Sequence, residues 1–336
     1  MPPLRKAFSL LSGGLDSLLA TRLIMEQGIQ VIGLHFITPF FGYEIKGQEA
    51  SYIDRMKGEY RIETRVVDVG EEYLQVLRSP RHGYGKNFNP CVDCKIFLFS
   101  KAKEFMEREK ADFLVTGEVL GQRPMSQRRD TLRIVERDSG TDGLLLRPLS
   151  ARNLKPTHPE ILGIVDRAGL LGLSGRGRKP QMRLAEEFGF KNYPTPAGGC
   201  VLTDPILATR IRNYFLKHSV ITINEVLLLQ VGRHFHLPDE GWLILGRDEE
   251  ENNKMEGLGG EKDLFFKIDG IPGPLGLLRG KGSPEQVALA ATILARYSKA
   301  KNKNHADILY GPKDNPFCYR LTVSPAREED TASLRF

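Results

Sequence analysis

The amino-terminal part of the chain alternates between two hydrophobic periods. Lys6 to Leu11 is a short apolar run typical of a buried strand, and Leu15 to Gln27 repeats apolar residues at helical spacing before the apolar run IQVIGLHF. This strand, helix, strand order is the building unit of a parallel sheet. We therefore expect a parallel sheet whose first two strands are joined by a helix.

The same alternation continues beyond the second strand. IDRMKGEY has a helical pattern, ETRVVDV a strand pattern, PCVDCKIFLFSKAKEFMEREK a turn entering a long helix, and ADFLVTGEV a strand pattern again. The pattern predicts an α/β doubly wound parallel sheet over roughly residues 1–170. Ligands of such sheets bind beyond the carboxyl ends of the strands, where the motifs discussed below lie.

The pattern changes in the second half of the chain. LGLSGRGRKPQMRLAEEFGF predicts a basic glycine loop running into an amphipathic helix, and the turn-rich NYPTPAGGCVLTDP follows. From about Val220 strands and helices mix without repeated parallel units, which indicates a second, smaller α+β domain. We place the domains at residues 1–218 and 219–336, and expect the polar run RDEEENNK to be a solvated loop.

Composition and charge bear on the partners and the cellular location of the protein. The 336 residues carry a net charge of +6 and a pI near 9.0, which suits a polyanionic partner but is also ordinary for an enzyme. No window reaches the roughly 18 apolar residues of a membrane span, and the start lacks a secretory signal pattern. We expect a cytoplasmic protein with no membrane partner.

Four cysteines bear on the chemistry, and two of them form the motif CVDC at Cys91 and Cys94. In a reducing compartment such a pair is more often a redox or metal motif than a disulfide. Cys200 lies far along the chain, in GGCVLTDP. Cys318, in the alternating FCYRLTV, is expected to be a core thiol on a strand.

The first strand is followed by the glycine turn LLSGGLDS. Backbone N–H groups around Gly13 and Gly14, together with the positive end of the following helix, can surround an anion. The turn lacks the lysine of a Walker loop and the three spaced glycines of a dinucleotide fingerprint. A plain tight turn capped by Asp16 or Ser17 is the alternative.

The string SGGLDS after a first strand resembles the pyrophosphate loop of the N-type ATP pyrophosphatases, whose fold is of the adenine nucleotide alpha hydrolase type. The resemblance implies cleavage of ATP to AMP and pyrophosphate, with Asp16 working with Mg²⁺. It also implies three groups of nucleotide contacts: Ser12, Gly13, Gly14, Asp16 and Ser17 at the β- and γ-phosphates, His35 and Phe36 beside adenine, and Thr116, Gly117 and Glu118 near the ribose or α-phosphate.

The cysteine segments NPCVDCKIFLFSKAKEF and GGCVLTDP extend the resemblance to ThiI/MnmA-like tRNA sulfurtransferases. In that family two mechanisms stay open. Cys94 and Cys200 are either a catalytic persulfide pair or, with Cys91, the ligands of a 4Fe-4S cluster that carries hydrosulfide. We favour the cluster, because a Cys-x-x-Cys motif plus one distant cysteine resembles the cluster-dependent members and thiolates are the ligands such clusters use. Zinc, or simply buried thiols, is the remaining alternative.

Two further segments contain candidate ligand-binding residues. The segment SGRGRKPQMR contains four closely spaced cations: Arg176, Arg178, Lys179 and Arg183. They could neutralise ATP phosphates or an RNA backbone. The alternative is a solvated basic face without a ligand. In GQRPMSQRRDTLR, Gln122 and Gln127 are candidates for nucleotide or RNA contact. His234 and His236 could pair on a metal, although histidines at this spacing are more often surface or structural.

The carboxy-terminal part, with GRHFHLPDEGWLILGRDEEENNKM, resembles the RNA-binding domain of NFACT proteins. Taken together, the resemblances imply an ATP-dependent tRNA uridine thiolase that uses a sulfide or persulfide donor, with 4-thiouridine favoured over 2-thiouridine. In contrast to ThiI, we expect neither a preceding THUMP-type domain nor a trailing rhodanese domain. The alternatives are an amidating ligase of a small metabolite and a non-catalytic RNA-binding protein.

Overall fold

The chain divides into two units, residues 1–215 and 216–336, and the computed structural model describes residues 5–193 and 200–335. The middle of the expected turn NYPTPAGGCVLTDP, residues 194–199, lies outside the described residues. None of the helices in the described ranges is both long and apolar enough to cross a membrane.

The first unit is built on a parallel sheet flanked by helices, which confirms the predicted doubly wound class. Its strands are β1 Lys6–Leu11, β2 Gln30–Ile37, β3 Glu63–Asp68, β4 Phe113–Thr116 and β5 Leu145–Leu146. Its helices are α1 Leu15–Met25, α2 Glu49–Tyr60, α3 Gly70–Arg78, α4 Cys91–Arg108, α5 Arg129–Ser139, α6 His158–Ile161, α7 Lys179–Glu187 and α8 Pro205–Lys217, which reaches the unit boundary.

The sheet has the order β3-β2-β1-β4-β5, and all of its pairings are parallel. The order therefore reverses between β1 and β4. A reversal of this kind opens a crevice beyond the carboxyl ends of the two strands, where ligands of open α/β sheets bind. The glycine turn follows β1 and the segment 116–118 follows β4, so the topology brings both candidate segments to this crevice.

Alternate residues of β1 explain why helices cover both faces of the sheet. Ala7 and Leu11 belong to the apolar core that includes residues of α1 and α2, whereas Phe8 and Leu10 belong to a second core with residues of α4. Because successive side chains of a strand point to opposite faces, one apolar strand anchors both layers.

The second unit contains an antiparallel sheet of order β11-β10-β8-β9-β7-β6 and helices, as the predicted α+β class requires. Its elements are α9 Ile223–Leu229, β6 Arg233–Leu237, β7 Gly241–Leu245, α10 Glu249–Leu258, β8 Leu264–Ile268, β9 Gly276–Arg279, α11 Pro284–Arg296, β10 Ala306–Pro312, β11 Tyr319–Val323 and α12 Glu328–Ala332. The alanine-rich α11 packs with the sheet around a core that includes Phe235 and Leu294.

The prediction of a solvated loop for the run RDEEENNK was wrong, because most of it lies in α10. The side chain of Asp248 accepts a hydrogen bond from the Glu251 backbone N–H at 2.9 Å and caps the helix. Glu251 is itself buried against Arg247, whose Nε donates to it at 2.9 Å, and Met255 one turn later is fully buried. A cap and one buried face thus outweigh the polar composition of the run.

The expectation that Cys318 is a core thiol was also wrong. Cys318 is exposed and precedes β11, because the strand starts only at Tyr319.

The two histidines of the segment GRHFHLP, His234 and His236, differ in environment. His234 is buried, its Nε2 lies 2.6 Å from the Val231 carbonyl oxygen, and its Nδ1 accepts a hydrogen bond from the indole N–H of Trp242 at 2.9 Å. His236 is half-buried, and burial together with the nearby charge of Lys217 lowers its pKa to about 4. The environment of His234 is that of a structural histidine in the core.

Candidate functional site

The glycine turn between β1 and α1 is braced from within by a serine. Gly13 has a φ of +73°, a conformation that favours glycine. The hydroxyl of buried Ser17 donates to the Gly14 carbonyl oxygen at 2.7 Å and accepts from the Ser12 backbone N–H at 3.2 Å. Ser17 therefore holds the turn in shape, and the exposed Ser12 lies at its rim.

Asp16, in the first turn of α1, has a half-satisfied carboxylate. Its Oδ2 accepts a hydrogen bond from the Gln122 side-chain amide at 2.7 Å and lies 3.6 Å from Nη2 of Arg178. Its Oδ1 is buried and has no hydrogen-bond partner among the described residues. Burying a carboxylate oxygen without a hydrogen-bond partner destabilises the folded state, and such an oxygen is a suitable ligand for a divalent cation. The Asp16 carboxylate therefore fits Mg²⁺.

Gly117, directly after β4, lies against the start of α1. A Cβ atom on Gly117 would lie 2.4 Å from the backbone nitrogen of Ser17 and 2.5 Å from the carbonyl carbon of Asp16. Only glycine therefore allows the end of β4 to pass this close to the start of α1. Thr116, the last residue of β4, is buried.

Of the two residues predicted beside adenine, only His35 lies against the turn. A Cβ on Gly13 would be 3.7 Å from the Cε1 atom of His35, whereas the Phe36 side chain is buried in the second core. The Tyr52 hydroxyl is 2.8 Å from Nδ1 of His35. Burial, helped by the charge of Arg55, lowers the pKa of His35 to about 4, so its imidazole is neutral at physiological pH.

The three cysteines predicted as metal ligands come together at the start of α4. Cys91 and Cys94 lie in the first turn of the helix, and Cys200 lies near both: after burial, Cys200 helps to raise the pKa of Cys94 and Cys91 helps to raise the pKa of Cys200. Helix α4 begins at the carboxyl edge of the sheet, since its 18 residues lead directly to the start of β4 at the opposite edge. The thiols therefore lie at the same edge as the glycine turn.

Burial controls the protonation of these thiols. It raises the pKa of Cys94 to about 12 and raises the pKa of Cys91 and Cys200 as well. A hydrogen bond from the hydroxyl of buried Tyr73 opposes the shift at Cys94. The nearby charges of Lys95 and Arg123 oppose this effect but do not outweigh burial, so all three remain thiols near neutral pH.

The arrangement of these side chains is not that of a bound metal site. Within residues 5–193 and 200–335, no group of three His, Cys, Asp or Glu side chains stands close enough together to hold a metal ion. The donor chemistry nevertheless fits an iron–sulfur cluster, which is held by cysteine thiolates.

A buried ion network connects the cysteine helix to the end of β4, and sequence reasoning missed it. Lys95, next to Cys94, pairs with Glu118, and Arg147 donates from Nε to the same carboxylate at 2.8 Å and also pairs with Glu136. Burial opposes ionisation of Glu118, but the two cations outweigh it and hold its pKa below the ordinary value. A lysine after CVDC and a glutamate after TG were the available signals, but their pairing depends on the tertiary fold.

The basic segment SGRGRKPQMR, which runs into the first turns of α7, contacts the glycine turn and its surroundings at only some of its residues. Arg178 approaches Asp16, and the Gly175 N–H donates to the Leu120 carbonyl oxygen at 2.8 Å, which ties the segment to the chain beyond β4. The remaining three predicted RNA contacts are exposed: Arg176, Lys179 and Arg183.

The two predicted glutamine contacts have partners within the protein. Gln122 bonds to Asp16, as described above. Gln127 is buried, and its side-chain oxygen accepts from the Arg123 N–H at 3.0 Å. Gln127 therefore stabilises its own loop.

Comparison with known families confirms both resemblances found in the sequence. A family described as thiamine biosynthesis protein (ThiI) matches residues 4–155. A family described as NFACT protein RNA binding domain matches residues 232–335. The two matches fall in different units of the chain.

Individual relatives match over limited lengths. The chain is 35% identical over 118 residues to a probable tRNA sulfurtransferase of Methanothermobacter thermautotrophicus, covering 35% of this chain and 30% of that protein. It is 35% identical over 117 residues to the tRNA-specific 2-thiouridylase MnmA of Syntrophotalea carbinolica, covering 32% of each. The chain thus spans about a third of the length of these two curated relatives.

A solved structure, the U34-tRNA thiolase NcsA from Methanococcus maripaludis with its 4Fe-4S cluster, aligns with 64% of this chain and 68% of its own. The identity is 21% and the TM-score 0.35.

Proposed function

We propose that this protein is an ATP-dependent tRNA uridine thiolase. The observation that carries the proposal is the gathering of three cysteines at the sheet edge that also carries the Asp16 turn. The ThiI-type match over residues 4–155 and the tRNA sulfurtransferase names of its relatives support the same activity. An activated uracil carbon and a sulfur source are needed at one place, and this edge offers a site for each.

The chemistry begins with adenylation of the base. A uracil carbonyl oxygen attacks the α-phosphorus of ATP, and pyrophosphate leaves from the glycine turn, where Ser12, Gly13 and Gly14 contact the β- and γ-phosphates. Arg178 neutralises part of the leaving charge. Hydrosulfide then adds to the activated carbon and AMP departs with the former carbonyl oxygen, so the overall exchange needs no oxidant or reductant.

Two groups not present in the chain itself complete the site. Mg²⁺ held by Asp16 would supply positive charge for the pyrophosphate. A 4Fe-4S cluster held by Cys91, Cys94 and Cys200 would supply an iron that can bind hydrosulfide. Sulfide would be a donor without redox change, whereas a persulfide carrier as the donor would also need a two-electron thiol reductant to release hydrosulfide. The raised pKa values of the buried thiols support this choice, because a cationic metal centre would stabilise the thiolates. The persulfide pair of Cys94 and Cys200 is the competing mechanism.

We propose 4-thiouridine as the product and tRNA as the partner. The match to ThiI supports the product, and the NFACT-type match over residues 232–335 supports an RNA partner. The exposed cations Arg176, Lys179 and Arg183 are proposed to contact the RNA backbone beside the site. The base must leave its stack to reach both ATP and sulfur.

The deciding assay combines anaerobically purified protein with ATP, Mg²⁺, sulfide and an unmodified tRNA transcript. Nucleoside analysis by mass spectrometry and chromatography is expected to find 4-thiouridine, and pyrophosphate release is expected to depend on tRNA. Asp16→Ala should abolish both while tRNA binding stays intact. Pyrophosphate release driven by a small metabolite and ammonia without RNA would instead identify an amidating ligase.

The cluster is tested separately from the activity. Iron and sulfide analysis of the anaerobic protein should find about four irons per chain, with a marked loss in Cys91→Ala. An iron-free protein that still thiolates tRNA would exclude the cluster and leave the persulfide pair as the mechanism.

A further inference from the structure

The second unit has an unusual charge for a domain that resembles an RNA-binding family. Residues 216–336 contain 16 Lys and Arg against 17 Asp and Glu, a net charge of −1. Residues 1–215 contain 32 against 25, a net charge of +7. Because overall charge does not attract RNA to the second unit, any RNA contact there depends on a local concentration of cations.

One segment of this unit has such a concentration. Residues 297–305, YSKAKNKNH, connect α11 to β10 and contain three lysines and a histidine but no acidic residue. Lys299, Lys301 and Lys303 are exposed. No ion pair within the described ranges involves any of the three.

Strand register brings more cations to the same end of the sheet. Arg233 starts β6, and four successive antiparallel pairings, β6 with β7, β7 with β9, β9 with β8 and β8 with β10, make β6 and β10 run in the same direction. Both strands therefore start at the same end of the sheet, where the lysine segment leads into Ala306 of β10. Arg335 lies beside β6 through its bridge to Phe235. Hereafter, the basic end denotes five residues: Arg233, Lys299, Lys301, Lys303 and Arg335.

Half-buried Tyr297 packs against two cations of the basic end. The guanidinium carbons of Arg233 and Arg335 lie 5.5 and 5.8 Å from its ring centroid. Arg335 also donates from Nε to the Tyr297 hydroxyl at 3.1 Å. Since the ring already packs against two cations, the basic end presents charge for phosphates rather than an open aromatic face for base stacking.

Acidic residues near this end have partners of their own. Asp269 accepts from Arg320 at 2.6 Å, and Asp307 lies 3.6 Å from the same guanidinium. Glu328 accepts from Arg296 at 2.8 Å. The lysines are therefore left to interact with an external anion.

We infer that the basic end of the second sheet binds the phosphate backbone of RNA. This inference rests on the proposed function only in taking RNA as the partner. It goes further by naming the surface and by making the contact independent of base sequence. Binding through phosphates alone should be strongly salt-dependent.

The test is the salt dependence of RNA binding by the full-length protein without ATP. Fluorescence anisotropy with a labelled, unmodified tRNA transcript compares the wild type with the Lys299→Gln/Lys301→Gln/Lys303→Gln variant. Loss of three phosphate contacts should make the slope of log K against log salt less negative by about 2 to 3. At about 0.1 M salt the affinity should fall at least roughly tenfold.

A matched triple variant controls for net charge. Lys254, Lys262 and Lys281 are exposed lysines of the same unit outside the basic end, and replacing them by Gln removes the same charge. The control should leave the slope within about one unit of wild type, and circular dichroism should find both variants folded.

Each outcome decides the inference. An unchanged slope in the folded Lys299/Lys301/Lys303 variant, or an equal loss in the control, overturns it and leaves an acidic protein as the occupant to test. A wild type that does not thiolate tRNA, combined with the expected change of slope, refutes the proposed function but keeps this inference.

Discussion

The glycine turn and the cysteine cluster lie at the same edge of the first sheet but are prepared for ligands in opposite ways. The turn has its polar groups in place, with a buried Asp16 oxygen that lacks a partner and Arg178 close by. The three cysteines, by contrast, are uncharged, because burial raises the pKa values of their thiols. The turn is therefore preorganised for a charged ligand, whereas the three cysteine thiols become charged only when a metal centre binds them.

The largest expected effect that tests this difference between the turn and the cysteines is on thiol reactivity. With a pKa of about 12, Cys94 should have a thiolate fraction about 10³-fold smaller than that of an ordinary cysteine at pH 8. Cys318 is exposed and therefore accessible to reagents. Mass spectrometry of the iron-free protein treated with iodoacetamide should find Cys318 modified first and Cys94 far more slowly. Rapid modification of Cys94 in the folded protein would contradict the buried, uncharged cluster.

Glu118 joins the two regions, so its removal should have the next largest effect. Glu118→Gln leaves Lys95 and Arg147 buried without their shared counter-charge, and should lower the free energy of unfolding by about 3 kcal/mol. Urea denaturation measures this change. Glu136→Gln, which keeps the link between Lys95 and Arg147, is the matched control and should cost less.

The same carboxylate predicts a pH dependence. Because its pKa is lowered in the folded state, Glu118 contributes stability above its ordinary pKa of about 4.3. That contribution is lost as the pH falls through the lowered value. Glu118→Gln should therefore flatten the acid side of the wild-type stability curve, and an unchanged acid side would argue against the network.

A smaller effect is expected where the turn meets β4. A Cβ in Gly117→Ala would collide with the backbone of Ser17, so α1 must shift, and we expect a loss of about 1 to 3 kcal/mol in stability together with weaker ATP binding. Gly58, inside α2, has no atom within 4 Å of an added Cβ. Gly58→Ala should therefore be neutral or stabilising by about 0.4 to 1 kcal/mol. Equal effects of the two substitutions in calorimetry and ATP titration would refute the close approach.

Sequence predicted the parts of the molecule that depend on local pattern. The period of apolar residues predicted β1 to β4 and α1, and the segment PCVDCKIFLFSKAKEFMEREK predicted a turn entering the long helix α4. It failed at α10, where a buried Glu251 and Met255 select a helix that composition does not favour. It also missed the partners of Glu118, because the contacts of this carboxylate with Lys95 and Arg147, which lie in other parts of the chain, leave no periodic signal.

Trp242 is the only tryptophan of the chain, and it lies 5% exposed in the second unit beside His234. Its intrinsic fluorescence is therefore an optical label that reports on residues 216–336 alone. Comparing the denaturation midpoint seen by indole emission with that seen by far-ultraviolet dichroism of the whole chain would tell whether the two units unfold together or in sequence, without attaching a probe.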